Sequence, residues 1–246
     1  MTEADYIQLL KFYDESGIDE IYNDIPFNFL ESCKENKILQ NIQTNKTNLS
    51  IKNIKEQAEH LLESVNNISE LIDVIKNFKL HPLVKFVSNI ITGIGVENPE
   101  LLVITEYPNE QEDTSGIFLT GNTGELLNKI LIAINASIET NTFVFPLSPY
   151  RAPGSRTLTD EELSVLEPFT KKYISILKPK TIIIFGILGV KVLLKNDSSI
   201  TSLRGKFYNY LDTDIKILPT FSLNYLLNNK EAKKKTWEDL QLLKTK

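Results

Sequence analysis

The sequence is poor in the residues that build disulfides and metal centres. Its 246 residues include one cysteine, Cys33, and two histidines, His60 and His81. One cysteine excludes an internal disulfide and a multi-cysteine metal site, and the two histidines lack the close spacing of a ligand pair. We therefore expect neither a metal nor a cofactor.

Long hydrophobic runs are also missing. No apolar stretch approaches the roughly 20 residues that a membrane-spanning helix needs. The first residues, MTEADYIQLL, are acidic, whereas a secretory signal begins with basic residues. These features predict a cytoplasmic protein without a membrane association.

Arginine is scarce: Arg151, Arg156 and Arg204 stand against 24 lysines, and all three lie in loop-like sequence. A guanidinium binds phosphate through two parallel hydrogen bonds, whereas lysine acts as a point charge. Residues 1–78 carry 7 basic and 14 acidic side chains, and residues 79–246 carry 20 and 18. The C-terminal part is therefore the candidate for contact with a polyanion.

The N-terminal part has helical periodicity. Apolar residues recur at helical spacing over residues 4–22 and again over residues 50–78, where Ser50 is a candidate N-cap. The intervening polar residues 34–50 are predicted to be a mobile linker. We expect residues 1–76 to form a helical extension, and a plain helical appendage is the favoured interpretation. The alternatives are that it docks on the basic face as a cover or recruits a protein partner.

From residue 77 onward, strand-like and helix-like segments alternate. The apolar, β-branched runs lie at residues 101–105, 142–148, 181–186 and 215–221, and amphipathic segments lie at 122–138, 159–178, 187–195 and 224–244. The second of these begins with a capping box, Thr159 and Glu162. Continuous apolar strands separated by helices predict a three-layer α/β/α sandwich with a mostly parallel four-stranded sheet over residues 77–246.

Ligands of such a sheet bind beyond the carboxyl ends of the strands. The segments at those ends resemble, in order, the motifs of the uracil-DNA glycosylase superfamily, family-4 type. TEYPNEQED and GIFLTGNTGELL match G-E-A-P-G-x-x-E-D and G-x-P-F-V-G-x-x-G-x-L-L, PLSPYRAPGSRTL matches N-x-x-x-C-R-P-P-G-N-R-T-P, and LPTFSLNYLL matches L-P-T-x-H-P-x-Y-L-L. The resemblance covers about residues 77–243 and implies DNA as the partner and base-excision repair as the process.

The chemistry of the family shows what each position should supply. Such an enzyme flips a nucleotide out of the stack, reads the base by its edge and by stacking, and stabilises the departing anionic base. The resemblance places Pro146 at the reading asparagine, Leu119 at the stacking phenylalanine with Phe118 beside it, and Ser222 at the histidine. Ser222 is then either a weak donor to the base or an N-cap.

Other pocket positions also depart from the family. Thr105 and Asn109 stand at the two glycines and Tyr107 at the alanine of the first motif, so a bulky ring enters the expected base pocket. Glu106, Glu112 and Asp113 remain in register. The resemblance therefore leaves Glu106 and Asp113 as candidate acid/base groups, with a solvated acidic loop as the alternative.

The family's four iron–sulfur cysteines correspond to Phe78, His81, Tyr150 and Leu166. Phenylalanine, tyrosine and leucine cannot ligate iron in this way, so the resemblance predicts apolar packing there and no cluster.

Basic residues near the predicted pocket are candidates for DNA phosphates: Arg151, Arg156, Arg204 and Lys206. Such contacts would position DNA without reading its sequence, and a solvated loop is the alternative. Tyr225, Leu226 and Leu227 could wedge into a duplex or belong to the core of the last helices.

Three functions follow from these departures. The first is a DNA-binding or interaction module with lost or strongly reduced uracil excision, a pseudoenzyme. The second is an active uracil-DNA glycosylase without a cluster, which would hydrolyse the N-glycosidic bond with Glu106 or Asp113. The third is a structural protein whose old pocket is filled. Several simultaneous replacements, each removing transition-state stabilisation, favour the first.

Overall fold

A six-stranded sheet organises the residues that the structure, a computed structural model, describes: 51–243. The strands are β1 (Ile94–Gly95), β2 (Leu101–Thr105), β3 (Thr142–Pro146), β4 (Thr181–Phe185), β5 (Tyr208–Asn209) and β6 (Lys216–Thr220), in the spatial order β1-β3-β2-β4-β6-β5. The four central strands are parallel, as predicted. Two short edge strands, β1 and β5, pair antiparallel and were not predicted.

Helices follow most of the strands. Their bounds are α1 (51–63), α2 (Ile68–Asn77), α3 (Glu110–Ser115), α4 (Gly121–Ala133), α5 (Asp160–Leu177), α6 (Ile187–Leu194), α7 (Ile200–Leu203), α8 (Leu223–Asn228) and α9 (Lys230–Gln241), with short 3-10 turns at Pro82–Phe86 and Pro153–Ser155. The predicted capping box of α5 is present: Glu162 N–H donates to Thr159 Oγ1 and Thr159 N–H to Glu162 Oε2. None of the described helices is long and apolar enough to cross a membrane.

Alternate strand residues face opposite sides of the sheet. Leu102, Ile104 and Ile184 belong to a core shared with α1, α2 and α5. Val103 and Ile183 belong to a second core shared with α4, α8 and α9. Because the four central strands are buried between helices on both faces of the sheet, the predicted three-layer α/β/α architecture is confirmed.

The helical period predicted over residues 50–78 is divided between two helices. The break lies at Asn67, whose side chain accepts from the Glu70 N–H at 2.9 Å and caps α2. Leu62 and Leu71 are buried in the same core as the sheet. The described residues 51–76 therefore pack in the same core as the sheet, and the domain boundary at residue 77 stays a prediction.

The other N-terminal predictions lie outside the described residues. These are the first helical segment, the polar linker and the Ser50 cap.

Candidate functional site

An open cleft lies at the carboxyl edge of the sheet, where the resemblance places the base pocket. It is a small cleft of about 30 Å³ that opens to solvent. Its walls come from the end of β2, the loop before α4, the end of β4 and the first turn of α8. The lining residues are Thr105, Glu106, Tyr107, Asn109, Glu112, Phe118, Leu119, Thr123, Gly124, Phe185, Ser222, Leu223 and Asn224.

One wall is formed by Phe118 and Leu119 in a strained turn. Leu119 has φ 61°, in the left-handed region that a branched side chain rarely adopts. Its N–H donates to Glu112 Oε1 at 2.8 Å. A side chain at Gly124 would collide with the Leu119 carbonyl oxygen, so only glycine lets α4 approach this turn.

Glu112 has a structural role at the base of this wall. Its Oε2 accepts from the Asn109 N–H at 2.8 Å, and Asn109 Oδ1 accepts from the Glu112 N–H at 2.9 Å. This capping box begins α3. Burial raises the pKa of Glu112 more than the bonds from Asn109 and Leu119 lower it. Both carboxylate oxygens are therefore used to hold the loop.

Asp113 is turned away from the cleft. Its Oδ1 accepts from the N–H groups of Ser88 and Asn89 at 3.0 and 3.3 Å. The carboxylate is buried and fastens residues 88 and 89 to α3. The structure therefore does not bring Asp113 to Glu106 as the second predicted acid/base group.

Glu106 does line the cleft. It extends from the end of β2 towards the start of α6, where Oε1 accepts from the Leu188 N–H at 3.3 Å. Gly186 leaves the room for this, since a side chain there would collide with the Glu106 carboxyl group. Burial raises the pKa of Glu106, with backbone hydrogen bonds opposing the shift. A carboxylate whose pKa is raised is a stronger base than an exposed one, which suits a group in a cleft to accept a proton.

Ser222 lines the cleft and caps α8. Its Oγ accepts from the Tyr225 N–H at 3.4 Å, at the outer limit of hydrogen bonding. The structure thus shows the N-cap alternative. The same turn places Tyr225 half exposed, with its ring 5.3 Å from that of Phe221, while Leu226 is buried in the core.

Four of the five predicted base-pocket residues meet at the cleft: Thr105, Tyr107, Phe118 and Leu119. Burial raises the pKa of the half-buried Tyr107. Pro146 is beside Thr105 in the sheet but does not line the cleft. It lines a separate small apolar cavity against α5, because it ends β3 where the chain turns towards that layer.

Two of the predicted phosphate ligands are engaged in ion pairs. Arg204 donates through Nε and Nη2 to the buried Asp239 at 3.0 and 2.6 Å, and through Nη2 also to the Lys235 carbonyl. Arg156 makes two bonds to Glu162, of 2.8 and 2.6 Å. An arginine held this way binds phosphate only if its pair opens, and the 16% exposed Arg204 is the more firmly held.

The other two phosphate candidates are less constrained. Arg151 Nη2 lies 3.6 Å from Glu110 Oε2, a carboxylate that is largely exposed. Lys206 is exposed and makes no ion pair with another described residue. Lys206 is therefore the candidate that the structure leaves available.

The four positions of the family's cluster cysteines converge, but they do not fit a cluster. The Tyr150 hydroxyl donates to the Phe78 carbonyl at 3.2 Å, and its ring stacks on His81 with centroids 4.6 Å apart. Leu166 is buried beside them. Phenyl and isobutyl groups carry no donor atom for iron, none of the four residues supplies the thiolate that holds an iron–sulfur cluster, and no group of three or more His, Cys, Asp or Glu that could hold a metal occurs among residues 51–243.

His81 is the polar centre of this packed group. Its Nδ1 accepts from the Leu83 N–H and its Nε2 lies 3.2 Å from the Glu162 carbonyl, so both ring nitrogens are occupied. Burial lowers its pKa to about 4. The imidazole is therefore neutral at pH 7, and its two hydrogen bonds link the Leu83 backbone to the Glu162 backbone inside the packed group.

Asn109, Thr123 and Asn224 are cleft residues to which sequence analysis gave no binding role. The Asn109 amide donates to the Thr120 carbonyl and to Thr123 Oγ1, both at 2.8 Å. The pattern N-x-x-E at Asn109 was a readable capping signal. Asn224 follows the Ser222 corner by two residues, and no local pattern marked it.

Comparisons with known proteins agree with this geometry. A model of the uracil DNA glycosylase superfamily matches residues 92–241. A type-4 uracil-DNA glycosylase of Sulfurisphaera tokodaii is 28% identical over 189 residues, 74% of this chain and 84% of that protein. A type-4 uracil-DNA glycosylase of Saccharolobus solfataricus is 28% identical over 186 residues, which is 73% of this chain and 86% of that protein. A type-4 uracil-DNA glycosylase of Thermotoga maritima is 29% identical over 161 residues, which is 64% of this chain and 83% of that protein.

The family match spans more than half of the chain, and the relatives carry the type that the loop motifs indicated. The chain belongs to the uracil-DNA glycosylase superfamily and is family-4-like within it.

Proposed function

We propose that this protein binds DNA in base-excision repair and accepts a flipped nucleotide in the cleft, with uracil excision lost or strongly reduced. The relatives named type-4 uracil-DNA glycosylases support DNA as the partner. The open cleft at the family's base-pocket position supports a nucleotide as its occupant.

One observation carries the reduced excision. Among the described residues that line the cleft, two are carboxylic acids, Glu106 and Glu112, and none is a histidine, lysine or arginine. The departing base is an anion, and it needs preorganised donors or positive charge close to it. Ser222, at the position of the family's histidine, supplies a neutral hydroxyl whose oxygen already accepts from Tyr225.

The alternative is an active glycosylase that relies on Glu106. The raised pKa and cleft position of Glu106 favour this second reading, since a carboxylate there could activate the attacking water. Asp113, the other predicted group, faces Ser88 and Asn89 instead. If this alternative holds, the single substitution Glu106→Gln should abolish uracil excision.

The test is single-turnover excision from single-stranded and duplex DNA with one uracil, with the Thermotoga maritima relative assayed in parallel. We expect a rate at least about 100-fold below that of the relative, because the loss of one preorganised donor typically costs that much. A comparable rate that Glu106→Gln abolishes would establish the alternative. Undamaged DNA, titrated across salt concentrations, tests binding: affinity that does not fall with salt excludes phosphate contacts.

A protein partner for the N-terminal extension is part of the same proposal. The acidic balance of residues 1–78 supports it, because an acidic segment suits a basic partner surface.

A further inference from the structure

We propose that Asn224 reads the base in the cleft, by pairing its side-chain amide with a base edge that carries a carbonyl beside a ring N–H. This inference rests on the proposed function, and it names the ligand class as a flipped uracil-type base. The amide N–H would donate to the ring carbonyl, and the amide oxygen would accept from the ring N–H.

The first step is the state of the polar side chains around the cleft. Asn109 and Glu112 hold each other and the Leu119 turn, Thr123 accepts from Asn109, and Ser222 accepts from Tyr225. Asn109 and Glu112 therefore use their hydrogen-bonding groups within the protein, whereas the Thr123 and Ser222 hydroxyls each keep a donor hydrogen. A single hydroxyl does not present the side-by-side donor and acceptor of an amide. These four side chains shape the cleft but are poorly placed to read an occupant.

Asn224 differs from them. It lines the cleft and is exposed, and its amide makes no hydrogen bond to another described residue. An amide offers both donors and an acceptor, which is the pattern that a carbonyl beside a ring N–H requires. Of the two amides among the lining residues, Asn109 and Asn224, it is the one whose hydrogen-bonding groups remain available.

The backbone that carries Asn224 is held in place. Leu223 on one side is buried, and Leu226 in the same helix is fully packed. The Tyr225 ring packs against Phe221, and its hydroxyl accepts from the Asn229 amide at 2.9 Å. Only the side-chain torsions of Asn224 have to be fixed when a base binds, so little ordering opposes recognition.

The position normally used for reading supplies nothing here. The resemblance places Pro146 at the family's asparagine, and Pro146 has neither an amide side chain nor a backbone N–H. It also lies outside the cleft lining. Asn224 approaches from α8, on a different element, so an amide is still offered to the cleft from another direction.

The test compares two single-stranded oligonucleotides of one sequence. One carries a single 2′-fluoro-deoxyuridine, which resists excision, and the other a tetrahydrofuran abasic analogue at that position. Fluorescence anisotropy gives the ratio of the two dissociation constants for the wild type, Asn224→Ala and Asn228→Ala. Asn228 is the matched control, since it is exposed on the same helix and does not line the cleft.

We expect the wild type and Asn228→Ala to prefer the uracil oligonucleotide. We expect Asn224→Ala to lose about 10-fold of that preference, the worth of one to two hydrogen bonds, with abasic DNA bound as before. Asn224→Asp, which keeps the size but cannot donate when ionised, should lose it as well. Unchanged thermal melting confirms that each variant is folded.

Three results would overturn the inference. An unchanged preference in Asn224→Ala removes the reading role. Equal weakening of both oligonucleotides makes Asn224 a backbone contact instead. A wild type that binds both oligonucleotides equally shows that no base is read, whereas a wild type that binds neither contradicts the proposed function itself.

Discussion

Replacing Ser222 with histidine should raise the rate of uracil excision, if excision is reduced as we propose. Residue 222 lines the cleft at the corner between β6 and α8, and the first turn of α8 fixes its backbone. The resemblance places the family's histidine there.

The magnitude follows from two opposing contributions. The Ser222 cap bond to the Tyr225 N–H is long, 3.4 Å, so its loss should cost stability near the lower limit for caps, about 0.5 kcal/mol. One preorganised donor to a developing oxyanion is worth roughly 100- to 1000-fold in rate. Glu106 and Glu112 oppose negative charge in the same cleft, so we expect the lower value, about 100-fold.

The assay is single-turnover excision of uracil from single-stranded DNA by the wild type, Ser222→His and Ser222→Ala. Ser222→Ala is the matched control, because it also removes the cap but adds no donor. We expect an increase in Ser222→His alone. A folded Ser222→His protein that binds DNA and excises no faster than Ser222→Ala would refute the reasoning, since a donor at this corner would then not reach the departing base.

Charged groups give three further predictions. Burial lowers the pKa of the neutral His81 from 6.5 to about 4, so the wild type should lose up to about 3 kcal/mol of unfolding free energy as pH falls from 6.5 through 4. Urea unfolding of His81→Gln should not show this loss. An equal loss in His81→Gln would contradict the assignment to His81. The pKa of Glu106 is raised in the folded state, so Glu106 stabilises the fold below pH 4.5 and this contribution is lost as pH rises through the folded pKa. The unfolding free energy of Glu106→Gln should therefore rise relative to that of the wild type between pH 4.5 and 7. A stability difference that does not change with pH would show that Glu106 titrates normally. Arg204→Ala should cost about 3–5 kcal/mol of unfolding free energy, because it leaves Asp239 buried and unpaired. Lys206→Ala should keep its stability but reduce the slope of log DNA affinity against log salt by about 0.9. The reverse pattern would exchange the two roles.

The parallel sheet was predictable because its strands are buried on both faces. A run such as TIIIF at Thr181–Phe185 leaves no polar alternation for a half-exposed strand. The two-residue edge strands β1 and β5 carry no such pattern, since two residues show no periodicity. Their place is decided by the neighbouring strand that accepts them.

Long-range pairing explains what the sequence did not reveal about the charged residues. Local capping at Asn67 and Asn109 could have been read from the N-x-x-E pattern. Arg204 and Asp239 are 35 positions apart, and nothing near either residue announces the ion pair. Arginine in loop-like sequence was therefore interpreted as a phosphate ligand, although the structure uses Arg204 to compensate a buried carboxylate.

The positions where this chain departs from the family have had two different physical outcomes. Where the family has its cluster cysteines, Tyr150, His81 and Leu166 fill the space with stacked and buried side chains. The base-pocket edge instead keeps a small cleft that opens to solvent and is lined by polar side chains such as Glu106, Ser222 and Asn224. Loss of selection on both sites would permit both to fill, because burying apolar surface stabilises the fold.

Keeping the cleft open has an energetic cost. Leu119 is held in the left-handed region, a strain of roughly 1–3 kcal/mol, and the buried Glu112 side chain accepts its N–H to hold it there. Gly124 forgoes a side chain so that the turn can approach α4. Strain of this kind persists where the surrounding structure enforces it, and it concentrates at ligand clamps. The maintained wall therefore favours the proposal that the cleft binds a base.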